Sequence, residues 1–140
     1  MSGRLARVWR AIRGDPGLIE VIRLAIEIEM SLRRVPFEQV LSGASTRERA
    51  AGFVPAVSSE TLRRTIDMAY RVLPFESTCL KQALVFRETY RRRGLAAELR
   101  IGVQKTDNRF AAHAWVEDGA GKALTDPLEG FNPVPLLWYA

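Results

Sequence analysis

The chain contains one cysteine and one histidine, and their surroundings differ from those of ordinary packing residues. Cys79 follows Ser77-Thr78, and either side chain can cap a helix by accepting a hydrogen bond from an N–H of its first turn. A helix starting there runs to about Arg93 and is stopped by Gly94. Cys79 then lies in the first turn, at the positive end of the helix dipole, where the thiolate is favoured. A thiolate nucleophile needs a base beside it to manage the proton. His113 is the only imidazole, set mid-strand in Phe110-Ala111-Ala112-His113-Ala114-Trp115-Val116-Glu117. Small alanines on both sides leave room for another group to approach the ring. Strand alternation puts Ala111, His113 and Trp115 on one face, so the indole either shields the imidazole or lines a substrate cleft. A cysteine or histidine taken alone is more often a structural residue; the pairing of positions is what points to chemistry.

A third group follows from the turn Asp118-Gly119-Ala120-Gly121. A hairpin centred between Gly119 and Ala120 makes Glu117 face Lys122, a favourable opposite-charge pair. The same register makes His113 face Asp126. Directly opposed residues have Cβ atoms about 4.5–5.5 Å apart, a spacing at which a carboxylate can hold an imidazole N–H. An odd-length loop instead sends Asp126 to the other face and leaves Asp118 and Glu117 as alternatives. Cys79, His113 and Asp126 are thus the expected nucleophile, base and orienting carboxylate, with Trp115 as a substrate-binding candidate. This chemistry calls for no metal and no cofactor. No side chain stands out as an oxyanion donor beside the Cys79 backbone N–H. Gln82, one turn after Cys79, points near the nucleophile but takes no assigned role.

The elements that must position these residues fall into two halves. Leu18, Val21, Ala25, Ile28 and Leu32 recur at helical spacing, with Pro16-Gly17 before them and Pro36 soon after. A short helix is expected over Phe37–Leu41 and an irregular connection over Ser42–Ala56. Ser58 or Ser59 caps a helix with the stripe Leu62, Ile66, Ala69 and Leu73, ended by Pro74. After the Cys79 helix come strands over Glu98–Lys105, Phe110–Glu117 and Lys122–Asp126. The apolar tail Pro133–Ala140 either docks on the core or forms an exposed partner patch. Helices followed by an antiparallel sheet make an α+β domain. We read 1–140 as one such domain, helical over 1–75, with the nucleophile helix and sheet over 76–140.

Composition narrows the partners. A chain of 140 residues that is 47% hydrophobic and 26% charged has the profile of a globular domain. The formal charge of +5 is carried mainly by arginines scattered from Arg4 to Arg109, without a nucleic-acid motif. They are expected to be solvated helix faces, with Arg91-Arg92-Arg93 complementing a helix C-terminus. Leu18–Leu32 contains Glu20, Arg23, Glu27 and Glu29, too many charges for a membrane span. The basic opening Met1–Arg13 has no signal-peptide core after it. With a single cysteine and no intrachain disulfide, a reducing, cytoplasmic location is expected.

The segments Cys79-Leu80-Lys81-Gln82-Ala83-Leu84, Tyr90-Arg91-Arg92-Arg93-Gly94, Leu99-Arg100-Ile101-Gly102-Val103 and His113-Ala114-Trp115-Val116-Glu117 resemble the lasso-peptide leader peptidases. These are the transglutaminase-like B proteins of lasso-peptide biosynthesis. The Leu32-Arg33-Arg34-Val35-Pro36-Phe37 segment extends the likeness into the first half. The resemblance implies a cysteine peptidase that removes the leader from a ribosomally made precursor, while an asparagine-synthetase-like cyclase closes the ring. It implies the stand-alone peptidase half, because no segment of suitable length for a recognition domain precedes the first helix. A separate leader-recognition protein would then deliver the precursor leader peptide. Two other functions compete: an acyltransferase with the same three residues, and an inert peptide-binding module in which Cys79 and His113 are structural.

Overall fold

The computed structural model describes residues 3–14, 17–46, 58–125 and 132–134. Among the described residues five helices come first: α1 (Gly3–Gly14), α2 (Gly17–Arg34), α3 (Phe37–Thr46), α4 (Ser59–Val72) and α5 (Cys79–Arg92). Three strands follow: β1 (Glu98–Thr106), β2 (Arg109–Glu117) and β3 (Asn132–Val134), in the antiparallel order β2-β1-β3. The architecture is α+β. Among the described residues no helix is long and apolar enough to cross a membrane.

Local chemistry explains the boundaries. Ser58 caps α4 by accepting the Thr61 N–H at 3.1 Å, and Thr78 caps α5 by accepting the Lys81 N–H at 3.2 Å. At its other end α5 closes in a Schellman motif. The Leu95 N–H donates to the Tyr90 carbonyl and the Gly94 N–H to that of Arg91, with Gly94 at φ 75°. The turn joining β1 to β2 holds Asp107 and Asn108 at φ 49° and 64°, the left-handed pair that a two-residue type I′ hairpin requires.

The core lies between α2, α4, α5 and one face of the sheet. Leu18, Val21, Leu24, Ala25 and Ile28 of α2 meet Leu62, Ile66 and Ala69 of α4 and a fully enclosed run on α5. Ala83 through Tyr90 are all buried, so the middle of α5 is wrapped on every side. The sheet contributes Leu99, Ile101, Ala114 and Val116. Arg87 is buried within this run and donates to the Leu41 carbonyl at 3.3 Å, tying α3 to α5. Burial, and then the neighbouring Arg91, pull its guanidinium down to about 10.

The structure corrects several expectations. The Phe37–Leu41 helix continues through residues 42–46, inside the expected irregular connection. Ser and Gly weaken a helix without breaking one that is already nucleated, and Ala favours its continuation. Arg91 and Arg92 do stand in the last turn of α5, as expected, and Arg91–Arg93 are paired as well rather than simply solvated. Arg92 bridges Glu27 and Glu88, Arg93 bridges Glu20, and Arg91 donates to the Ala97 carbonyl. The segment after the second turn is not a continuous strand: its pairing among the described residues is one bridge, Glu117 to Ala123. Glu117 therefore does not face Lys122. The Asp118 side chain accepts the N–H groups of Ala120 and Lys122, each at 2.9 Å, and its own N–H donates to the Lys122 carbonyl. That Asx-type turn adds one residue to the loop and moves the register by one, so the even-turn register that made His113 face Asp126 no longer supports that pairing. Pro133–Val134 enters the sheet as part of β3. The rest of the tail, and with it Leu136–Tyr139, lies outside the described residues, as does Asp126.

Candidate functional site

Cys79 opens α5, directly after its N-cap, and is exposed. The three residues before it are each gripped from the first turn of the same helix. The Lys81 ammonium donates to the Glu76 carbonyl at 3.0 Å, the Gln82 amide donates to Ser77 Oγ at 2.6 Å, and Thr78 Oγ1 accepts the Lys81 N–H. Lys81 is itself fixed from outside. Its Nζ lies 2.8 Å from Oε2 of Glu29, a carboxylate only 5% exposed on α2, whose other oxygen takes Arg33 at 3.0 Å. The Lys81 hydrogen bond outweighs burial and holds the Glu29 carboxyl below the ordinary 4.5. Tyr70 lies close enough to Glu29 that its phenol, pushed up mainly by burial, is raised further by the carboxylate. A buried charge pair thus sets where the start of α5 sits against α2.

His113 lies on β2 opposite Gly102 of β1. Ala114 and Val116 turn into the core, while His113, Trp115 and Glu117 share the alternate row. The imidazole stacks on the Trp115 indole at 6.2 Å and 20°, and the indole N–H donates to Glu117 Oε1 at 3.1 Å. Arg100, opposite Trp115, binds Oε2 of the same carboxylate at 3.0 Å. Trp115 is therefore pinned as well as buried, at 3% exposure, and offers almost no surface to a substrate.

Cys79 and His113 line the same cavity, of about 180 Å³, where the amino end of α5 meets β2. Its other walls are Ile66, Ala83, Phe86 and Ala114, with Arg63, Gln82 and Thr125 supplying polar atoms. Thr125 belongs to the site through the shifted turn: its Oγ1 accepts the Val116 N–H at 2.9 Å. The space is smaller than a drug-sized ligand needs, about 300 Å³ or more. Of the residues singled out from sequence, Cys79 and His113 are brought together here. Trp115 backs the imidazole without reaching the cavity lining. Asp118 is committed to its turn and Glu117 to Arg100 and Trp115, so neither alternative carboxylate is uncommitted. Sequence reasoning missed Arg63, Ile66 and Phe86. The i+3 spacing of Gln82 from Cys79 was a usable signal.

An exposed thiol at a capped helix start and an imidazole on the adjoining strand can support acyl transfer through sulfur. The family model of the transglutaminase-like superfamily matches residues 22–135. The chain belongs to the transglutaminase-like superfamily. The match runs from α2 to the end of β3 and so includes the whole cavity. Membership carries a fold used by cysteine peptidases and by acyltransferases alike. No curated protein and no solved structure matches the chain.

Proposed function

We propose that this superfamily member is a cysteine peptidase that removes the leader from a ribosomally synthesised lasso-peptide precursor, with Cys79 as nucleophile, His113 as base and Asp126 as orienting carboxylate. The observation that carries the reading is the shared cavity of Cys79 and His113 at the start of α5. The Cys79 thiolate adds to the carbonyl at the leader–core junction, and His113 protonates the departing amine. Water activated by His113 then releases the leader as a free acid. The segment likeness to the leader peptidases supports the choice of substrate.

The partners in this reading are the precursor leader peptide, a separate leader-recognition protein and an asparagine-synthetase-like cyclase acting on the released core. The outward face of α2 suits a protein partner. Ile19, Ile26 and Met30 are exposed at 49%, 43% and 38%, and helical spacing aligns them with the exposed Arg23. Tethering the leader through such a partner raises its concentration at Cys79 to the order of millimolar.

The test is cleavage of the precursor with and without the recognition protein, read by product mass. A leader ending in a free carboxylate, produced faster with the partner, is expected. An amide adduct between leader and an added amine would replace hydrolysis with acyl transfer. Unchanged precursor under both conditions would remove the peptidase reading.

A further inference from the structure

The first N–H groups of a helix have no partner within it. In α5 the Thr78 side chain takes the Lys81 N–H and the Thr78 carbonyl takes that of Gln82 at 3.0 Å. The Cys79 N–H has no acceptor among the described residues, and it lies at the base of the thiol. One backbone donor beside a nucleophile is half of what an oxyanion hole ordinarily contains.

We propose that Gln82 supplies the other half: its side-chain amide is the second donor to the negative oxygen formed when the Cys79 thiolate adds to a carbonyl. This rests on the reading of Cys79 as nucleophile and goes beyond it by naming a further catalytic residue. Gln82 lies three positions after Cys79, on the same helix face, and helical side chains lean towards the amino terminus. The carboxamide is thus carried back over the first turn. It is anchored there, with Nε2 2.6 Å from Ser77 Oγ. A carboxamide nitrogen carries two N–H groups. One is spent on Ser77, and the second remains for the cavity that Gln82 lines together with Cys79 and His113. The remaining walls Ile66, Ala83, Phe86 and Ala114 are apolar and offer the oxyanion no donor of their own from their side chains. Arg63 also lines the cavity, but it is exposed on α4 and water screens its charge.

An activated ester isolates the step without any precursor. With p-nitrophenyl acetate, the Cys79 sulfur bonds to the acetyl carbon and the carbonyl π pair moves onto oxygen. Collapse returns that pair, breaks the bond to p-nitrophenolate and leaves an acetyl thioester, while the thiol proton passes to His113. Alkylation by iodoacetamide consumes the same thiolate and expels iodide, but forms no oxyanion. The measurement is the rate of both reactions for the wild-type chain and for Gln82→Ala, Gln82→Glu, Ser77→Ala and Arg63→Met, with circular dichroism to verify folding.

The expected result is acylation slowed about 100-fold in Gln82→Ala, the usual cost of one oxyanion donor. Gln82→Glu, which exchanges the donor for an acceptor, is slowed at least as much. Ser77→Ala, outside the helix, frees the amide and is slowed less. Alkylation stays at the wild-type rate in every variant, and Arg63→Met slows acylation less than Gln82→Ala does. Equal slowing of both reactions, no slowing of either, or a loss confined to Arg63→Met would overturn the assignment. A wild-type chain that is alkylated but never acylated would bring down the nucleophile reading itself. A wild-type chain that is acylated normally, with Gln82 variants that match it, would bring down the Gln82 assignment alone.

Discussion

At the carboxyl end of α5, Arg92 reaches Glu27 and Glu88, Arg93 reaches Glu20, and a Schellman turn takes up the last carbonyls. At the amino end Lys81 reaches Glu29 of α2, and the neighbouring Cys79 and Gln82 line the cavity shared with His113. Both ends are tied to the same helix, since Glu20, Glu27 and Glu29 all lie on α2. The difference lies in what is left over. The carboxyl end uses its charges to hold the helix. The amino end concentrates its anchoring in Lys81 and Glu29 and leaves a thiol, an N–H and an amide beside the cavity. Between them the buried run Ala83–Tyr90 makes the helix a rigid arm. One buried pair can then aim the nucleophile while the other end supplies only stability.

Substitutions at the two ends should separate these roles. His113→Ala should have the largest effect, lowering turnover by about a thousandfold or more while the melting curve stays in place, because base and nucleophile act in one step. Asp126→Asn should follow, with a smaller and only partial loss in kcat, since Asn can still hold the imidazole but favours the wrong tautomer. A structure that places Asp126 on the opposite sheet face from His113 would end that expectation.

Glu29→Gln should touch both functions. Removing one charge of a buried pair strands the other and costs about 3 kcal/mol, measurable by urea denaturation at neutral pH. The sign of its pH dependence follows from the carboxyl being held below 4.5. Its contribution is fully present above that value and is lost as pH falls through the lower folded value. Wild-type stability should therefore drop more steeply below pH 4.5 than that of Glu29→Gln, and equal acid slopes would contradict the pairing. Arg93→Met should have the smallest effect. Among the described residues Arg93 Nε and Nη1 are buried without a hydrogen-bond partner, so the guanidinium is only partly compensated there. An apolar replacement should shift stability by about 1 kcal/mol at most and leave turnover unchanged.

Much of this frame was legible in the residues, and the failures have physical causes. α2 and α4 carry regular apolar stripes, α5 is bounded by its Thr78 cap and Gly94, and β1 and β2 are rich in strand formers, so their existence and type could be read from the residues. β3 did not show itself, because a three-residue edge strand containing Pro133 has no periodicity to detect. The hairpin register was missed by one residue because the Asp118 side chain, acting as a backbone partner, lengthens the turn. The meeting of Cys79 and His113 could be expected from a helix start and a mid-strand imidazole. Ile66 and Phe86 could not, since they enter the cavity only through the packing of α4 on α5.

The central claim is that Cys79 is the nucleophile of a peptide-cleaving site. Its most direct test is turnover of precursor by a folded Cys79→Ala chain, with the recognition protein present and products read by mass. The account predicts intact precursor and no leader with a free carboxylate, from a protein whose circular dichroism and melting temperature match the wild type. Cleavage by that folded variant at a rate comparable to wild type would contradict it.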